Sequence, residues 1–158
     1  MKSIFMTRRR TKLFTLLLAV LFTLSPVSVL ADVGSDDIVM VVNARNPTRN
    51  LSKGQIKNIY LGNVAFWNGV VPVALFTRPP DHNASQHFYE SMLRMNAQRF
   101  DSHWTSRQLA GKGVAPVVIG SPDELAEHIR ASPGAIGFML ASEVWGTAPD
   151  GIRVVELN

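Results

Sequence analysis

The sequence predicts an α/β fold, with a mixed or parallel sheet carrying helices on its faces. Three observations lead there. Short β-branched and apolar runs recur, as in Ile38–Val42 and Ala135–Leu140. Helix-like segments with legible starts separate them, most clearly at Ser121-Pro122-Asp123-Glu124. No internal repeat, low-complexity tract or long linker interrupts the alternation, so the chain reads as one compact domain behind a leader.

The leader is residues 1–31. Lys2, Arg8, Arg9, Arg10 and Lys12 form a positive segment, Leu13 to Leu24 is apolar, and Ser25-Pro26 breaks the run. Val29-Leu30-Ala31 then places small residues where a signal peptidase cuts. This layout is that of a secretory signal peptide cleaved near Ala31, and it implies a periplasmic domain over 32–158. The apolar run is too short for a membrane span, which needs roughly 20 residues. The Arg triplet is compatible with both general secretory and twin-arginine export. Having no Cys, the chain has no site for a lipoprotein anchor and none for a disulfide.

Removing the leader reverses the charge. It holds five of the 16 Lys and Arg and none of the 12 Asp and Glu, leaving 11 basic against 12 acidic residues, a net charge of −1. The basic character of the whole chain belongs to the leader. A nucleic-acid partner would need a basic stripe on the domain itself, so none is expected.

Ile38-Val39-Met40-Val41-Val42 reads as a strand buried on both faces. Asn43 to Asn50 is a loop. Ser52 and Gln55 have capping-box spacing, Ile56, Ile59 and Tyr60 follow at helical spacing, and Gly62 ends the helix. Val64 to Gly69 is turn-like. Val71 to Phe76 is a strand leading into Thr77-Arg78, and Pro79 to Asn83 is a loop before a helix over Ala84–Leu93. Asn96 caps a further helix, with Phe100, Trp104 and Leu109 assigned to one apolar face and Gly111-Lys112-Gly113 closing it. Val114 to Ile119 is a strand interrupted by Pro116. Ser121 caps a helix reaching about Arg130, Ser132-Pro133-Gly134 turns, and Ala135–Leu140 and Ile152–Leu157 are strands.

Catalytic and metal chemistry has no visible constellation. There is no Walker loop, no GxSxG elbow and no HExxH. His82 and His87 are five apart, not the four that places two ligands on one helical face, and His103 and His128 stand alone. These four read as surface histidines. Glu124 and Glu127 read as a solvated helix face. Neither an enzyme nor a cofactor is implied.

The segment around Arg78 points to an anion instead. A strand delivers a guanidinium, whose fork of donors suits an oxyanion, and a helix start follows with unpaired N–H groups.

The motifs around it resemble those of the periplasmic phosphate-binding proteins of ABC importers. Leu51-Ser52, Gln55-Ile56 and Ile59-Tyr60-Leu61-Gly62 are similar to one stretch of that family, and Trp67-Asn68-Gly69 to the segment after it. Val73 to Arg78 resembles the strand bearing their phosphate-binding Arg. Phe88, ten residues on, matches a Phe of the next helix, and Pro133-Gly134-Ala135-Ile136-Gly137-Phe138 is similar to a strand near the lobe's end. The resemblance runs from about Ile38 to Ala141. It implies a single three-layer lobe of the periplasmic-binding-protein type, a short relative of two-lobed receptors. It also implies recognition of phosphate or a similar oxyanion, in phosphate uptake or sensing. Where the family has Ser-Gly-Thr, this chain has His82, Asn83 and Ala84. The expected ligand-binding set is therefore Arg78, His82, Asn83, Ala84 and Ser85, with Ser85 as a replacement hydroxyl. His82 is able to donate one hydrogen bond there. His82 and Asn83 are equally open to a reading as loop and cap residues. That departure supports an alternative: a periplasmic interaction or sensory module without ligand, docking a transporter or sensor component or forming a homodimer.

Overall fold

The structure, a computed structural model, describes residues 37–147 and 150–158, with 145–147 as backbone only. The expected signal peptide and its cleavage site lie outside the described residues. The elements run β1 (Ile38–Asn43), β2 (Asn50–Leu51), α1 (Lys53–Tyr60), β3 (Phe66–Trp67), β4 (Val71–Pro72), β5 (Ala74–Thr77) and α2 (Asn83–Phe88). A π-helical turn (Tyr89–Leu93) follows, then α3 (Ala97–Leu109), β6 (Val117–Val118), α4 (Pro122–Ala131), β7 (Ala135–Leu140), α5 (Ala141–Thr147) and β8 (Ile152–Leu157).

Six strands form one mixed sheet in the order β2-β8-β1-β7-β5-β6, while β3 and β4 form a separate hairpin. β1 is antiparallel to both β7 and β8, and β5 is parallel to both β7 and β6. Alternation along the central strands divides the core. Met40, Val42, Ile136 and Phe138 join Ile56, Tyr60, Phe88, Leu93, Phe100 and Trp104 on one face. Val41, Ala135 and Met139 join Leu125, Ile129 and Val144 on the other. A two-residue side-chain period produces this directly, giving the three layers expected of a periplasmic-binding-protein lobe.

Local chemistry explains the element ends. In α1 the Ser52 N–H donates to the Gln55 side chain at 2.8 Å, and the Gln55 N–H donates to Ser52 Oγ at 3.3 Å, closing the capping box. Its carboxyl end is met by α3: Trp104 Nε1 donates to Tyr60 O, His103 Nε2 to Leu61 O and Arg107 Nη2 to Gly62 O. Gly62 is required there, because its φ is 72° and a Cβ would lie 2.8 Å from the Trp104 ring. Ser121 caps α4, with Pro122 in its first turn. Asn43 closes the other end of α4 by donating to Ile129 O and Arg130 O, both at 2.9 Å.

Several expected elements are rearranged. The strand expected over Val71–Phe76 is divided between the hairpin strand β4 and the sheet strand β5. Asn68 (φ 47°) and Gly69 (φ 73°) supply the left-handed backbone that a tight hairpin needs before it. The strand around Pro116 shrinks to Val117–Val118, because proline has no N–H to give and β6 is an edge. Leu109 is 84% exposed, not on the Phe100–Trp104 face. Nine residues at about 100° each place it opposite Phe100. The helix expected over Ala84–Leu93 becomes π-helical from Tyr89. Its buried pairs Ala84/Ser85, Phe88/Tyr89 and Met92/Leu93 recur every four residues. Four residues of α-helix overshoot a turn by about 40°, and the wider π turn brings the last pair back toward the core.

Candidate functional site

β5, β6 and β7 are parallel neighbours, so their carboxyl ends lie along one edge of the sheet. Arg78 follows β5, Gly120 follows β6, and Glu143 lies in the first turn of α5, after β7. Ligands of open α/β sheets gather at such an edge. Here it gathers a guanidinium, a carbonyl and a carboxylate.

Arg78 is only 2% exposed, among the largest buried side chains of the described residues. Its Nη2 donates to Gly120 O at 3.1 Å and lies 3.3 Å from Glu143 Oε1. Its Nε and Nη1 are buried and have no hydrogen-bond partner. Glu143 is held in turn, since its Oε2 accepts the Leu140 N–H at 2.9 Å.

The loop into α2 is self-contained. The His82 N–H donates to Pro79 O, closing a tight turn. His82 is the N-cap of α2: its Nδ1 accepts the Ala84 N–H at 3.1 Å. A neutral imidazole has one acceptor nitrogen, so this bond assigns the proton to Nε2. Nε2 then faces Glu143 Oε1 at 3.7 Å and the Arg78 Nη2 at 3.2 Å, two donors converging on one carboxylate. The Ser85 hydroxyl donates to Arg78 O at 3.0 Å and is fully buried, as is Ala84. Asn83 begins α2 and is exposed.

The five residues expected from sequence thus lie on one strand–loop–helix turn. Arg78 and His82 converge on the same point. Ala84 and Ser85 spend their polar groups holding the turn, and Asn83 faces solvent. Sequence reasoning missed Glu143, which lies 65 positions from Arg78. Its legible signal was an acid at the third position of a helix directly after a strand.

Arg78 also lines a cleft of about 310 Å³ between β5–β6 and the start of α3. Tyr89, Phe100 and Trp104 form its walls, and Gln98 and Asp101 stand at exposed positions along it. Burial, and then the nearby Asp101 carboxylate, push the Tyr89 hydroxyl above its ordinary pKa. Among the described residues no cluster of three His, Asp or Glu side chains gathers to hold a metal. Nor is any of their helices long and apolar enough to cross a membrane.

A three-layer lobe with an Arg at the carboxyl edge of its sheet defines a periplasmic-binding-protein type of domain. The profile of the PBP superfamily domain matches residues 28–152, and the chain belongs to that family. Solved structures share the fold. An ABC-type phosphate transport receptor from Vibrio cholerae is 21% identical with a TM-score of 0.56, over 76% of this chain and 45% of that one. A putative phosphate ABC transporter substrate-binding protein with bound phosphate, from Clostridium perfringens, is 17% identical with a TM-score of 0.57, over 76% and 44%. PstS from Borrelia burgdorferi is 12% identical with a TM-score of 0.60, over 77% and 47%. The chain therefore spans under half the length of each of these structures. No curated protein matches it.

Proposed function

We propose that this protein is an exported, non-enzymatic, single-lobe binding protein. It takes phosphate or a related oxyanion at Arg78 and serves phosphate uptake or sensing with a membrane transporter or sensor component. One observation carries the reading: Arg78 is 2% exposed, yet Nε and Nη1 have no partner. Leaving buried donors unmatched costs about 1–3 kcal/mol each, more for a charged group, and an oxyanion accepting from them removes that cost. His82 Nε2 supplies a further donor beside it, and Asn83 stands exposed at the mouth of the same turn. Ala84 and Ser85 hold the turn in shape. The similar proteins from Vibrio cholerae and Clostridium perfringens are both named for phosphate, which agrees with this chemistry. Isothermal titration of the purified protein with phosphate, sulfate and arsenate tests the reading. Heat that disappears in Arg78→Lys, with the fold retained by circular dichroism, is expected. Absence of heat with all three anions sinks it.

A second reading has its own observation. Glu143 already supplies a carboxylate to Arg78, and His82 already takes the Ala84 N–H. A site satisfied this far from within suits a lobe kept as a docking or dimerisation surface. Val114, Val117 and Val118, 50–80% exposed at the β6 edge, are its candidate contacts. Light scattering separates the readings: a strict monomer that binds phosphate excludes the second.

A further inference from the structure

We infer that the cleft beside Arg78 selects an organic monoanion: a carboxylate or similar oxyanion head on a flat apolar body. The inference rests on the oxyanion reading of Arg78 and names the class of ligand. Size is the first argument. The cleft measures about 310 Å³. An inorganic tetrahedral oxyanion occupies roughly the space of three waters at about 30 Å³ each, whereas small-molecule sites begin at about 300 Å³. Most of the cleft therefore has no function for an inorganic ion.

The walls give the second argument. Tyr89, Phe100 and Trp104 line the cleft and are 4–6% exposed, so their rings are fixed by core packing. Tyr89 and Phe100 lie 5.1 Å apart between ring centroids. Rigid ring surfaces give an inorganic ion no hydrogen bond, and they reward a flat apolar body by burial and offset stacking.

Charge is the third argument. Glu143 already answers part of the Arg78 charge at 3.3 Å, and Asp101 adds a second carboxylate along the cleft. A guanidinium already met by one carboxylate, in a cleft lined by a second, favours one negative charge in the ligand over two. The contacts of Nη2 with Gly120 O and Glu143 also fix the guanidinium and leave Nε and Nη1 for the head group. A comparable cleft of about 290 Å³, lined by Gly62, Val73, Leu75 and Val114, has only the exposed Lys112 as a charged group in its lining.

Calorimetry with benzoate, acetate and phosphate tests this, on the purified protein and on Gln98→Trp. Benzoate and acetate share a head group and differ in the apolar body. Gln98 is exposed on α3, so a Trp there fills the cleft without disturbing Arg78 or the core. Benzoate is expected to bind about 10- to 100-fold tighter than acetate, from burial of one ring. Gln98→Trp is expected to abolish that advantage and to leave phosphate binding in place. Equal affinity for benzoate and acetate, with phosphate still bound, overturns the inference and leaves the oxyanion reading standing. A benzoate advantage unchanged in Gln98→Trp also overturns it, by placing the ring elsewhere. Failure of all three anions overturns the inference and the oxyanion reading together.

Discussion

Replacing Glu143 by Gln separates what this carboxylate does for the fold from what it does to the anion site. Glu143 Oε1 lies 3.3 Å from Arg78 Nη2, with side-chain exposures of 15% and 2%. The gross attraction of two charges about 4 Å apart is about 4 kcal/mol at an effective dielectric of 20, and desolvation offsets much of it. Gln keeps an oxygen for the Leu140 N–H, so the start of α5 is preserved. What is lost is the charge facing a buried guanidinium, a net cost of about 2 kcal/mol. For a domain of this size that is roughly a 6–12 °C fall in Tm. The same change removes the carboxylate that competes with a bound anion for Arg78. If phosphate affinity rises about tenfold, equivalent to ~1.4 kcal/mol, saturating phosphate returns that much more stability to the variant than to the parent. The assay is thermal melting of both proteins with and without phosphate, using chloride to match ionic strength. A variant as stable as its parent without phosphate, or one with no larger response to phosphate, refutes this reasoning.

Four further outcomes are expected. A Cβ added at Gly134 would lie 1.8 Å from Pro72 O, a backbone atom. Gly134→Ala should therefore lose about 3 kcal/mol or more, read by urea unfolding. Asn43 is 4% exposed, donates to two carbonyls at the end of α4 and accepts the Arg45 N–H at 2.8 Å. Asn43→Ala should cost about 2–3 kcal/mol by the same measurement. Asn63→Ala, which removes an exposed bond, should cost less than about 0.5 kcal/mol. Burial raises the Tyr60 hydroxyl well above its ordinary pKa, with Tyr89 adding to the shift, and Tyr89 is itself raised. The folded chain therefore keeps these protons while the unfolded chain releases them near pH 10, so stability is unaffected below about pH 10 and falls above it. Phenolate absorbance should appear together with loss of near-ultraviolet dichroism, and a smooth titration near pH 10 in the folded protein would contradict the burial argument.

Much of the fold was legible because its signals are local. Ser52 with Gln55, and Ser121 with Pro122, state helix starts within four residues, and both are capped as expected. Ile38–Val42 and Ala135–Leu140 are apolar on both faces, which marks central strands with helices on either side. What the sequence conceals depends on angle or on partners. Leu109 is near Trp104 in sequence, although five residues rotate it about 140° away. The Val71–Phe76 run is uniformly apolar, and only its partners divide it: Val71 pairs with Trp67 in the hairpin, and Ala74 with Ala135 in the sheet. The sharp bend between them needs Gly134, whose carbonyl takes the Ala74 N–H and Trp67 Nε1.

The site divides along the same line. Arg78 was legible because a strand that ends in a guanidinium is a local pattern. The roles of its neighbours were not, because a side chain's donors can be assigned only once their acceptors are placed. His82 reads in sequence either as a donor for ligand or as a loop and cap residue; its Nδ1 takes the Ala84 N–H, and its Nε2 faces Glu143 Oε1 and Arg78 Nη2. Ser85 reads as a replacement hydroxyl, but it is turned inward onto Arg78 O. Glu143 is brought beside Arg78 only by the parallel pairing of β5 with β7, a contact that no window of sequence contains. Counting donors then sharpens the anion argument. Nη2 is engaged while Nε and Nη1 are not, so Glu143 answers only part of the guanidinium. A carboxylate that existed solely to neutralise Arg78 would be expected to engage two of its nitrogens as a fork. Its single contact, at 3.3 Å, holds the guanidinium in place and leaves donors for something else.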